Sequence, residues 1–136
     1  MAEIFVATSR GLASWGHDVG ISKHIYKLGV ADGSAVEAVQ ALADTAFAGE
    51  TDWQLLHAEP TTIDEATAIA GLAKRETVID PRYYPKIKDG RGVFKVKPDN
   101  VERHFLVKKA LEGTEERAFK VKPGDIGAYL VLSAQR

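Results

Sequence analysis

Two hydrophobic periods alternate along the chain, and each predicts a different kind of element. Ile4, Phe5 and Val6 sit in a β-branched and aromatic run that predicts a strand over 3–8, and a second run predicts a strand over 24–30. The stretch between them holds Gly11, Gly16 and Gly20 around Trp15 and His17. It reads as a long irregular connection, Ser9 to Lys23, packed by its tryptophan. Ser34 and Glu37 have the spacing of a capping box, and Val36, Val39, Leu42, Ala46 and Phe47 follow at helical intervals, predicting a helix over 35–48. Residues 52–58, with Trp53, Leu55 and Leu56, read as a third strand ended by Pro60. Thr62 and Glu65 then form a second capping box, before a helix over 63–75 that carries Ala66, Ile69, Ala70 and Ala73 on one face. Residues 78–85, with Pro81 and Pro85, are expected to be irregular, and Asp89-Gly90 is a turn leading into a strand over 92–97.

The last third carries a repeat. Phe94-Lys95-Val96-Lys97-Pro98 recurs 25 residues later as Phe119-Lys120-Val121-Lys122-Pro123, and each copy continues to Asn100-Val101 or Asp125-Ile126. Phe and Val alternating with Lys give a strand with one apolar and one charged face, and Pro opens a helix where its missing N–H costs nothing. Two strand-to-helix units follow, over about 92–112 and 118–134. Tyr129 to Leu132 alone would suit a strand, but its place in the repeat predicts a helix over 124–134. The expected fold class is α/β or α+β: one domain over 1–136 with a small mixed or antiparallel central sheet flanked by helices.

Composition narrows the chemistry. The 136 residues are 45% apolar and 27% charged, as in a soluble globular domain. The absence of cysteine excludes disulfides, thiolate metal sites and Cys nucleophiles. The first residues lack a signal-peptide pattern and no run approaches a membrane span, so a cytoplasmic protein without membrane contact is expected. The net charge of −1 conceals a split: residues 1–70 carry three basic side chains against ten acidic, residues 71–136 fifteen against nine. Between Lys74 and Lys97 eight basic residues face three acidic ones, which makes this the candidate anion-binding stretch.

Catalytic motifs are scarce. His17, His24, His57 and His104 show no metal-ligand spacing, no Gly-x-Ser-x-Gly elbow or Walker lysine motif occurs, and Gly90-Arg91-Gly92 reads as a turn. His17-Asp18 is a candidate orienting pair, while Asp64 and Glu65 suit a first helical turn. No metal or cofactor is expected. Tyr83 and Tyr84, flanked by Arg82, Lys86, Lys88 and Arg91, interleave rings with cations, a composition suited to single-stranded DNA or RNA and equally to a packed loop.

Ile4-Phe5-Val6, a second strand ending Tyr26-Lys27-Leu28-Gly29, an amphipathic helix, the strand around Trp53 and an alanine-rich helix together resemble the GIY-YIG endonuclease superfamily. The phage-type branch, whose second signature reads Lys-Ile-Gly, is the most similar, and Gly92 to Val96 resembles its late strand; the likeness covers about 3–97. It implies the family fold. For activity it implies mismatches: the first signature's Tyr falls on Phe5, the second's on Lys27, the phosphate-facing Arg at or near Glu37, and the metal-binding Glu on Glu65 or Glu76. The connection between the two signatures is also roughly ten residues longer than the pattern. The resulting expectation is a non-catalytic GIY-YIG-like module that binds nucleic acid or another anionic partner through Lys27, Arg82, Tyr83, Tyr84, Lys86, Lys88 and Arg91. The alternatives are a module whose acidic first half meets a protein partner, or an active metal-dependent nuclease of this type.

Overall fold

The computed structural model describes residues 2–79, 84–87, 92–111 and 122–135, except the side chains of Pro85, Lys109 and Pro123. Its centre is a five-stranded sheet in the order β3-β1-β2-β5-β4, every neighbouring pair antiparallel: β1 (Ala2–Thr8), β2 (Ile25–Asp32), β3 (Gln54–Thr61), β4 (Thr77–Val78) and β5 (Val93–Lys95). Helices α1 (Arg10–Asp18) and α2 (Ala35–Asp44) cover one face, and α3 (Glu65–Ala73), α4 (Pro98–Leu111) and α5 (Pro123–Ala134) the other. This is the mixed α/β single domain that the patterning predicts.

Covering both faces explains the central strand. Ile4 and Val6 of β1 enter one core with Leu28, Phe94, Leu72 and Leu130, while Phe5 and Ala7 enter the other with Leu12, Ile25, Trp53 and Val93. A strand buried on both sides reads as a continuous apolar run, as Ile4 to Ala7 does.

Four expectations change. The connection from Ser9 to Lys23 is mostly helix: the Ser9 hydroxyl accepts from the Leu12 N–H at 3.1 Å, and Leu12 and Gly16 pack inward. Glycines at 11 and 16 lower the intrinsic helix preference, and burial of the Leu12 face overrides it. Helix α2 stops at Asp44, short of 48. Ala46 and Ala48 turn left-handed and Trp53 Nε1 donates to the Phe47 carbonyl at 3.0 Å, so the chain bends to seat the Phe47 and Trp53 rings edge to face. Strand β3 runs through Pro60, since an outer strand leaves one N–H edge unpaired and tolerates proline. The N-cap of α3 is Asp64, whose Oδ1 accepts from the Thr67 N–H at 2.7 Å, and Glu65 is released from a capping box.

The repeat is visible where it is described. Phe94, Val96 and Val101 of the first copy are fully buried, Ile126 of the second is buried, and Pro98 and Pro123 each open a helix. Tyr129 to Leu132 is helical, with Tyr129, Leu130 and Val131 in the core. Phe119, Lys120 and Val121, the second copy's strand, lie outside the described residues.

Candidate anion-binding groove

The three described residues among those singled out from sequence, Lys27, Tyr84 and Lys86, fall on the α1/α2 side. Lys27 projects from β2 into that face, 95% shielded, where its ammonium donates to the Leu28 carbonyl at 3.1 Å. It lies 3.9 Å from Glu65 and 5.4 Å above the Phe47 ring. Burial lowers the Lys27 pKa and the Glu65 carboxylate partly opposes that. Tyr84 is half-buried with its ring edge-on to Trp15, and the Lys86 ammonium is 2.9 Å from the Glu50 carboxylate. These three residues therefore gather around the turn at 47–50 and on α1, each engaged in packing or pairing. Arg82, Tyr83, Lys88 and Arg91 lie outside the described residues.

The carboxylates implied by the family likeness also have local partners. Glu65 Oε1 accepts from the Val30 N–H at 3.2 Å, because β5 ends opposite Lys27 and leaves that β2 amide without a strand partner. Glu76 is buried beneath the start of α4, accepting from the Lys97 N–H at 3.1 Å and the Asn100 amide at 2.9 Å. Phe5 is buried and Glu37 is exposed, its N–H donating to the Ser34 hydroxyl. His17 and Asp18 are exposed at the end of α1, beside Arg10 and Lys23 on a depression of about 460 Å³.

The opposite face carries a larger feature. Residues 100, 103, 104, 107, 108 and 111 of α4 recur at helical spacing and form one stripe. Its other side, with Val101 and Phe105, packs into the core. The stripe looks across an open groove of about 800 Å³ toward Tyr129 and Leu132 of α5 and toward Lys74 and Arg75 beyond α3. Arg103 and Lys108 on α4 and Lys74 and Arg75 opposite are all exposed, and no carboxylate lines the groove among the described residues. Its lining is partly apolar: Val107 is 53% exposed, Leu111 84% and Leu132 41%. His104 packs against Tyr129 with ring centres 5.3 Å apart. Four exposed cations around one concavity produce a focused positive potential, suited to an anionic ligand.

Comparison with protein-family models, with curated proteins and with solved structures finds no match. The site is therefore read from its own geometry. Among the described residues of the sequence-derived stretch between Lys74 and Lys97, only Lys74 and Arg75 line the groove, while the α4 residues that complete it were not singled out. The signal for them lies in the sequence as Arg103, Val107 and Leu111 at intervals of four, an apolar and basic stripe on a helix whose other side is core. No group of metal-ligating side chains occurs among the described residues, and no helix there is long and apolar enough to cross a membrane.

Proposed function

We propose that this protein is a non-catalytic, GIY-YIG-like module that binds nucleic acid by its phosphates, and that the groove between α3, α4 and α5 is the binding surface. The observation that carries this reading is the set Lys74, Arg75, Arg103 and Lys108, exposed around one concavity with no carboxylate among its described lining residues. Phosphate recognition needs such a set, because each neutralised phosphate releases condensed counterions and supplies sequence-independent affinity. The non-catalytic part is supported by the two signature positions. Phe5 has no hydroxyl, Lys27 holds the second tyrosine position in a buried setting, and Glu65 and Glu76 are engaged with backbone amides.

The test is a titration of a labelled oligonucleotide at several salt concentrations, with the unmodified protein and a Lys74→Ala, Arg75→Ala, Arg103→Ala, Lys108→Ala variant. All four side chains are exposed, so folding should survive. The variant should bind more weakly, and its slope of log affinity against log salt should fall by about 0.7 for each phosphate no longer neutralised. No binding by the unmodified protein, or binding untouched by the fourfold change, would overturn the proposal.

A further inference from the structure

Resting on that reading, we infer that the groove selects single-stranded over duplex nucleic acid, with bases laid on its exposed apolar side chains and phosphates held by the cations beside them. The groove combines two kinds of surface within one concavity. Val107 and Leu111 on α4 and Leu132 on α5 expose apolar surface, Arg103 and Lys108 interleave with the first two on the same stripe, and Lys74 and Arg75 line the groove from beyond α3. Exposed aliphatic side chains lower their free energy only against a partner that brings apolar area.

A duplex does not bring it. Its bases are stacked inside and it presents mainly sugar and phosphate outward, so it would meet the cations and leave the apolar side chains in water. An unstacked strand offers flat base faces on a flexible anionic backbone, which matches the apolar side chains and the cations together. The His104 ring, half-buried against Tyr129, adds an aromatic surface at the same level. The arrangement would read shape and strandedness, with little base-edge discrimination, since Val107, Leu111 and Leu132 offer apolar contacts and phosphate contacts carry no sequence information.

Three probes test this with the intact chain: a single-stranded 12-mer, the same sequence as a duplex, which carries twice the phosphates, and an abasic single strand of the same charge as the 12-mer. The 12-mer should bind at least tenfold more tightly than the duplex and about tenfold more tightly than the abasic strand. Val107→Ser and Leu111→Ser, both at exposed positions, should each weaken the 12-mer severalfold at unchanged salt slope while leaving the duplex unaffected. Equal affinity for single strand, duplex and abasic strand would overturn the inference and leave phosphate binding standing. Absence of binding to all three would overturn the proposed function itself. Displacement of a bound 12-mer by an acidic amphipathic peptide of higher affinity would assign the exposed apolar side chains to a protein helix and overturn the inference as well.

Discussion

At the scale of single residues, Lys27 sets the clearest conflict. Its ammonium is shielded from water, so the native state disfavours the charged form and its pKa falls below the ordinary 10.5. In the folded chain the proton leaves first as pH rises, so this group's unfavourable contribution shrinks from the lowered native value up to 10.5. Lys27→Met removes the buried charge while Glu65 keeps partial solvent contact. The variant should be neutral to about 1 kcal/mol more stable at pH 7 in urea denaturation, with the difference shrinking near pH 10. Asp52 runs the other way. It accepts from the Ser9 hydroxyl and, at 3.0 Å, from the Gly11 N–H at the start of α1, and these bonds hold its pKa below the ordinary 3.8. Its contribution is complete above 3.8 and is lost as pH falls through the lowered native value. Being largely exposed, it is worth only about 0.5 kcal/mol. Asp52→Asn should lower stability by that amount at pH 7 and by progressively less as pH falls below 3.8, as read from urea midpoints.

At the scale of elements, α5 is placed by close approach. A bulge in β3 beside Val6 turns Leu56 and His57 to the same face, and the backbone of Gly127 packs against both. A Cβ at Gly127 would stand 2.6 Å from the His57 Cβ, whereas one at Gly124 would meet nothing within 4 Å. Alanine is intrinsically the better helix former at either position by up to about 1 kcal/mol. Gly127→Ala should nevertheless destabilise by about 1–3 kcal/mol because overpacking outweighs that gain. Gly124→Ala should be neutral or slightly stabilising. Urea midpoints of the two variants, differing by one methyl each on the same helix, check the sign. Elements were legible wherever burial and local preference agree, as in β1, β2, α2 and the proline-opened α4 and α5. They were not legible where a tertiary contact overrode preference: α1 is helical despite two internal glycines, and β3 continues through Pro60 because its outer edge needs no amide.

At the scale of the whole molecule, the five-stranded sheet separates two environments. Lys27, Tyr84 and Lys86 belong to the α1/α2 face, where packing and the Glu50 carboxylate engage them, while the α3/α4/α5 face gathers exposed cations around the groove. On the proposed GIY-YIG-like reading, cleavage would need a hydroxyl at Phe5 and a cation at or near Glu37, and neither residue supplies it. Supercoiled plasmid incubated with the protein and Mg²⁺ or Mn²⁺ should therefore remain uncut on an agarose gel. Metal-dependent nicking abolished by Glu65→Gln or Glu76→Gln would show the opposite.

The sequence by itself determined the fold class, most of the elements and the basic character of the second half, because hydrophobic period, capping residues and charge count are local properties of the chain. It also placed Phe94 and Val96 in the core through strict alternation. Only the tertiary structure decided which cations meet. Lys74 and Arg75 lie about thirty residues before Arg103 and Lys108, and their convergence depends on α4 and α5 packing beside α3 on one sheet face. Lys86 looked equally available in sequence until the turn at 47–50 brought Glu50 against it. Charge is written residue by residue, but whether a charge faces solvent, a carboxylate or a groove depends on what the fold places opposite.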